Sequence, residues 1–151
     1  METARILNLL KDLYNGDPWL DVTLVATLSE VSAERAAKKP SGGNSIWEIT
    51  NHLIAWRENV LNRISGIEMT TPPNNYFTPV EDVSENAWQQ TLSTLEASQQ
   101  KWERFLEKMS DDELSGIYQP NGLMHYQHIH GIIQHDAYHL GQIVLIAKHL
   151  V

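Results

Sequence analysis

The chain has no cysteine among its 151 residues. That absence excludes disulfides, thiolate nucleophiles and Cys-ligated zinc or iron–sulfur sites. Any metal site must therefore use nitrogen and oxygen ligands, and any thiol chemistry must bring its thiol from outside. Basic residues are also scarce: 11 Lys and Arg stand against 19 Asp and Glu, a net charge of −8 with neutral histidine. The longest basic cluster is Lys38-Lys39. Such a surface repels phosphates and argues against nucleic acid as a partner. Long apolar runs are missing too. Ile143-Val144-Leu145-Ile146-Ala147 falls far short of the roughly 18 residues that a membrane span needs. The opening residues Met1-Glu2-Thr3-Ala4-Arg5 carry no basic region leading into an apolar one. A cytoplasmic protein with no membrane partner is expected. No glycine-rich phosphate loop, internal repeat or low-complexity linker occurs, and nothing reads as a strand pair.

What is present is an ordinary globular composition, 42% hydrophobic and 20% charged, of a length that suits one domain over residues 1–151. Four helical stretches are separated by Pro, Gly and Asn. Ile6, Leu9, Leu10 and Leu13 recur at helical spacing up to Asn15-Gly16. Asp17-Pro18 then predicts a restart, with Asp as N-cap and Pro at the first helical position, followed by the stripe Leu20, Leu24, Leu28 and Val31. Residues 34–44 read as a loop. Ser45 and Glu48 form a capping box for a second stretch with Ile49, Leu53, Trp56, Val60 and Ile64 buried and Gly66 as its stop. Residues 70–80 make a long connection. The third stretch starts near Asp82 or Ser84 and buries Trp88, Leu92, Leu95, Trp102 and Leu106; Asp111-Asp112-Glu113 reads as a helix-start charge run. Pro120-Asn121-Gly122 opens the fourth, from about Leu123 to Leu150. The five tryptophans, at positions 19, 47, 56, 88 and 102, mostly read as core fillers at helical spacing. The fold class that follows is an all-α four-helix bundle with two short and one long crossover.

Seven histidines in a cysteine-free chain direct attention to nitrogen ligation. His135 and His139 stand four apart, about 6 Å along a helix axis and about 40° around it, so both rings can reach one ion. Spacing alone describes two solvated surface histidines equally well. His52, beside Ile49, Leu53 and Trp56, sits about 85° from the centre of its own apolar stripe. His135 and His139 flank the arc formed by Ile129, Ile132, Leu140, Ile143, Ala147 and Leu150. Packing those two flanks together would bring three ring nitrogens to the rim of the core. Three histidines with free positions suit a metal that must also hold water or substrate; three semi-buried histidines satisfied by backbone carbonyls remain the other reading. His128 lies about 10 Å along the helix from His135, too far for the same ion, and reads as pocket wall or surface. Asp136 and Gln142 could orient a ligand ring, and Trp56 could line an apolar pocket.

These residues carry a family likeness. Ser45-Ile46-Trp47-Glu48-Ile49 followed by His52, and then His135-Asp136-Ala137-Tyr138-His139-Leu140-Gly141-Gln142-Ile143, resemble the DinB-like (damage-inducible) metalloproteins, a four-helix group unrelated to the DNA polymerase that shares the label. The likeness extends over nearly the whole chain, including Asp17-Pro18-Trp19 and the loop from Pro40 to Ser45. It implies an up-up-down-down bundle, with His52, His135 and His139 at the metal-binding positions. It further implies a divalent ion, nickel or zinc first, iron or manganese next, and a homodimer. Related branches are bacillithiol- and mycothiol-dependent transferases and a maleylpyruvate isomerase.

The expected function is therefore that of a metal-dependent enzyme acting on a small molecule. With water as nucleophile it is a hydrolase; with a low-molecular-weight thiol cofactor it is an S-transferase. No side chain is identified as catalytic, the nucleophile being the water or thiol at the metal. The alternative is a dimeric metal- or ligand-binding stress protein without turnover, its partner face formed by Ile133 and Val144 opposite the histidines.

Overall fold

The computed structural model describes residues 1–149, so the expected contribution of Leu150 to the last helix lies outside the described residues. Four long helices form the frame: α1 (Glu2–Asn15), α4 (Ile46–Ile64), α5 (Glu85–Lys108) and α6 (His125–His149). Two short ones, α2 (Leu24–Ser29) and α3 (Ala33–Ala37), lie between α1 and α4. In the frame, α1 packs on α5 and α6, and α4 packs on α5 and α6, which closes a ring.

Side-chain pairs fix the helix directions. Tyr14 reaches Glu96 while Thr3 reaches Asp111, so α1 and α5 are antiparallel. Trp47 bonds Thr91 and Arg57 bonds Gln99, so α4 and α5 are parallel. His52 meets His135, while Trp56 and Val60 share a cavity with His128 and Ile132, so α4 and α6 are antiparallel. In chain order the bundle therefore runs up-down-down-up rather than up-up-down-down. The cause is the connection over residues 65–84, which carries the chain back along the full length of α4 before α5 begins.

Local chemistry sets the helix ends. The capping box at α4 forms as expected: Ser45 Oγ accepts from Glu48 N at 3.1 Å and Glu48 Oε2 from Ser45 N at 2.9 Å. At the other end Gly66, at φ 84°, lets Ile67 N donate to Asn62 O and Gly66 N to Arg63 O, a left-handed stop that a Cβ would strain. Ser84 caps α5.

The expected restart at Asp17 does not occur. Trp19 is 96% exposed, Leu20 is exposed as well and Asp21 adopts φ 57°; with neither apolar side chain buried, nothing favours helix there. Helix α2 starts only at Leu24, where Thr23 Oγ1 accepts from Ala26 N. Trp19 is thus not a core residue. Within the stretch read as a loop, Ser32 caps the single turn α3, whose Ala33 and Ala36 are buried. A strand pair also exists: β1 (Ile117–Tyr118) and β2 (Leu123–Met124) run antiparallel, with Ile117 opposite Met124 and Tyr118 opposite Leu123. Two residues per strand are too short to show a period of two. Pro120-Asn121-Gly122 is the turn of this hairpin, Gly122 at φ 72°, and α6 follows it. Ile133 and Val144 pack half-buried against the core, so they form no exposed partner face; Tyr138 (64%) and Leu145 (60%) are the large exposed side chains there.

Asp111-Asp112-Glu113 does open a helical turn, the 3-10 turn Asp112–Ser115 with Asp111 at its N-cap position, but the Asp111 side chain makes no cap bond there. Its carboxylate accepts from Glu2 N at 2.8 Å, Thr3 N at 3.0 Å and Thr3 Oγ1 at 2.8 Å, closing the N-terminus of α1 from a distance in sequence. The Thr3 and Glu2 donors hold its carboxyl down at about 2. Because the folded value lies below the ordinary carboxylate value of about 3.9, this stabilisation is complete above that pH and is lost as pH falls through the folded value. Asp111→Ala is expected to lower the melting temperature near neutrality by roughly 2–4 °C. Thermal scans by circular dichroism should show the gap to wild type closing between pH 4 and pH 2.

The core consists of two apolar clusters separated by a polar layer. One gathers Leu24, Trp47, Leu53, Trp88, Leu95, Leu140 and Ile143. The other gathers Ile6, Leu10, Val60, Trp102, Leu106, Ile129 and Ile132. Between them Arg57, fully buried, donates from Nε to Asp136 Oδ2 at 2.8 Å and from Nη1 to Gln99 Oε1 at 3.1 Å. Its guanidinium also faces the Tyr14 ring at 5.7 Å. This layer joins all four long helices and fixes the rotation of α6 about its axis, and with it the direction in which His135 and His139 point.

Candidate metal centre

His52 projects from α4, and His135 and His139 project from successive turns of α6. One ring nitrogen of each lies within 4.8 Å of the others. Tertiary packing places two of them well inside the rim, His52 1% and His139 5% exposed, while His135, with 25% of its side chain accessible, opens outward.

Hydrogen bonds set which nitrogen each ring presents. His52 Nδ1–H donates to the Asn75 carbonyl at 2.7 Å, which leaves the Nε2 lone pair facing His135 Nε2 at 3.0 Å. His139 Nδ1–H donates to Gln142 Oε1 at 2.7 Å, and Gln142 Nε2 in turn donates to Tyr138 Oη at 3.1 Å. That leaves His139 with Nε2 as its ligand atom. Two lone pairs cannot face one another at 3.0 Å, so the His52 and His135 nitrogens must share either a proton or a cation. Burial pushes His52 down to about 4, helped by the neighbouring His139 and His135 and opposed by the Asn75 carbonyl. Burial and His135 likewise push His139 down, against its bond to Gln142. Both rings are therefore neutral near pH 7, the form that ligates metal.

Around the rings the site is aromatic. Phe77 stacks on His52 with centroids 3.9 Å apart and planes 7° from parallel. Trp56 lies 6.0 Å from His135 and donates from Nε1 to Asn75 Oδ1 at 3.0 Å. Asn59, on the same helix, donates to Tyr76 Oη at 2.7 Å and thereby ties the connection after α4 down over the site. Asn75 and Tyr76 both take left-handed backbone, φ 51° and 62°, which turns the Asn75 carbonyl toward His52.

The donor set fits a divalent ion of the kind imidazole prefers, zinc, nickel, copper or iron. Among the described residues no fourth His, Asp or Glu joins the cluster, so an ion held there would have three protein ligands and further positions free, as in open sites. Of the residues expected around the centre, Gln142 and Trp56 are in place. Asp136 is fully buried in its pair with Arg57; its Oδ1 lies 3.8 Å from His135 Nδ1, and neither atom has a hydrogen-bond partner. An ion on His135 Nε2 requires the ring proton on Nδ1, where Asp136 Oδ1 is the nearby acceptor. His128 is pocket wall, buried edge-on to Tyr118 at 5.5 Å. Asn75 and Phe77 were not legible as site residues. The only signal was Asn74-Asn75 after two prolines, a pair that tolerates left-handed backbone.

A family model described as the DinB superfamily matches residues 22–143. No curated protein and no solved structure matches the chain. The match spans most of the sequence, from before α2 to the last buried residue of α6, and includes all three clustered histidines: the chain belongs to the DinB superfamily.

Proposed function

We propose that this chain is a metal-dependent enzyme of small-molecule metabolism, with His52, His135 and His139 as the ligands of one divalent ion, nickel or zinc. The observation that carries this reading is the convergence of three imidazoles, two of them fixed by Nδ1–H bonds, beside a cavity that opens at His135. A divalent ion, when bound, supplies the Lewis acidity that makes a water or a low-molecular-weight thiol nucleophilic at neutral pH. The chain's own residues do the rest. The Asn75 carbonyl and Gln142 hold two rings in the ligating tautomer, Phe77 and Trp56 exclude bulk water, and the partly open edge of His135 faces the incoming molecule. A water nucleophile makes the protein a hydrolase; a thiol nucleophile makes it an S-transferase, as in the bacillithiol- and mycothiol-dependent branches related to the family that the sequence resembles. The expected assembly is a homodimer, with Tyr138 and Leu145 offered on the outer face of α6.

The test is turnover. Zinc- or nickel-loaded protein is offered activated esters alone, and aromatic halides together with a small thiol. Turnover of either class that disappears in His139→Ala supports the proposal, and dependence on the thiol identifies the transferase. Loaded protein that turns over neither class sinks the enzyme reading and leaves a metal-binding protein without catalysis.

A further inference from the structure

Beside the three histidines a cavity of about 250 Å³ lies between α4, α6 and the β-hairpin, near the lower end of the roughly 300–1,000 Å³ common for small-molecule sites. One end is His135. Its middle is apolar, formed by Trp56, Val60 and Ile132. The far end carries Arg63, Asn121 and Gln127, and no carboxylate lines any part of it.

The chemistry of that far end is one-sided. Asn121 Oδ1 accepts from Leu123 N at 3.1 Å, and Gln127 Oε1 accepts from Met124 N at 2.9 Å. A backbone N–H can bond only the oxygen of an amide, so each side chain keeps its NH₂, a pure donor, for something else. Arg63 is half-buried and sandwiched between the Trp56 ring at 5.4 Å and the Tyr118 ring at 5.6 Å. Among the described residues it has no carboxylate or hydrogen-bond partner, and its buried Nε is unpaired. A guanidinium held between two rings with its buried Nε–H unpaired costs free energy unless an acceptor joins it. His128, nine-tenths buried in the same wall, also has an unpartnered Nε2. The first turn of α6 ends here as well and adds the positive end of a long helix. The Arg63 guanidinium and the Asn121 and Gln127 amide NH₂ groups all donate, and no carboxylate lines the cavity to answer them.

We propose that this cavity is a substrate subsite for a small organic anion, its oxyanion head held by Arg63, Asn121 and Gln127 and its apolar body lying along Trp56, Val60 and Ile132 toward His135. Arg63 follows Trp56 by seven helical residues, a rise of about 10 Å, so the anion's far end reaches the histidines roughly two turns from its head. The delivery of that end to a metal rests on the function proposed above; the binding of the head does not. Carboxylate and phosphate heads both match the guanidinium fork.

The experiment is calorimetry on chelator-treated, metal-free protein with three probes: 4-phenylbutyrate, its neutral amide and 3-phenylpropyl phosphate. We expect the acid or the phosphate to bind at least about tenfold more tightly than the amide. That margin should vanish in Arg63→Met and survive in part in Arg63→Lys. Whichever anion binds more tightly identifies the head group. Equal affinity for acid and amide in wild type overturns the subsite without reference to any variant, as does no measurable binding of either anion. Acid that binds only after metal loading, and equally well to Arg63→Met, overturns the subsite while leaving the metal centre intact. Anion discrimination in a protein that takes up no metal would instead uphold the subsite and remove the metal reading.

Discussion

Replacing Arg57 with methionine is expected to destabilise the fold by about 3–5 kcal/mol, the usual cost of stranding one member of a buried ion pair. Among the described residues Asp136 pairs with no other Lys or Arg, its other oxygen lying 3.8 Å from His135 Nδ1, and the Arg57 and Asp136 side chains are completely inaccessible. The loss reaches beyond one contact, because the Arg57 side chain also bonds Gln99, which in turn donates to Glu103. Urea unfolding near neutral pH measures the effect. Asp136→Leu combined with Arg57→Met should recover most of the loss, since two apolar groups in place of a buried pair leave no charge unsatisfied. A single variant within about 0.5 kcal/mol of wild type, the range of ordinary surface changes, would show that the layer does not hold the helices together.

The other large effect concerns ligation. His52→Ala, His135→Ala and His139→Ala should each weaken zinc or nickel binding by more than about 100-fold, beyond the roughly 10–100-fold that loss of an outer hydrogen-bond partner causes. Gln142→Ala should fall within that smaller range, because it releases the His139 ring but removes no ligand. Competition against a chromophoric chelator gives the four affinities on one scale. The ordering matters more than the values: three large losses and one intermediate loss mean that the rings bind the ion and Gln142 only aims one of them. Wild-type affinity in any of the histidine variants would remove that histidine from the site.

The site was legible where helical periodicity reaches and not beyond it. His52, His135 and His139 could be placed on one flank because each stands in a long stripe of apolar residues whose angular position is fixed at about 100° per residue. Gln142 was within the same reach, three residues from His139. Asn75 and Phe77 lie in irregular chain, where position depends on backbone turns that no periodic pattern encodes, and Phe77 reaches His52 only because Asn59 and Trp56 draw that segment down. Arg57 escaped notice for another reason: a charged residue at the edge of an apolar stripe reads as surface, and its burial depends on Asp136, far away in sequence. The same limit explains the directions of the helices. Capping signals at Ser45, Gly66 and Ser84 fixed where helices begin and end, yet whether the connection over residues 65–84 returns along α4 is decided by pairs such as Trp47 with Thr91. Trp19 shows the converse error, in which a large apolar side chain reads as a core filler at helical spacing while Asp21, two residues on, takes a left-handed backbone that turns away from helix.

The most direct test of the central claim is elemental analysis of untagged protein after incubation with zinc or nickel and removal of excess, run beside His135→Ala. The account predicts about one equivalent of metal per chain in the wild type and essentially none in the variant. No metal in either protein, or equal metal in both, would contradict it and leave His52, His135 and His139 as a buried hydrogen-bonded cluster with a structural role only.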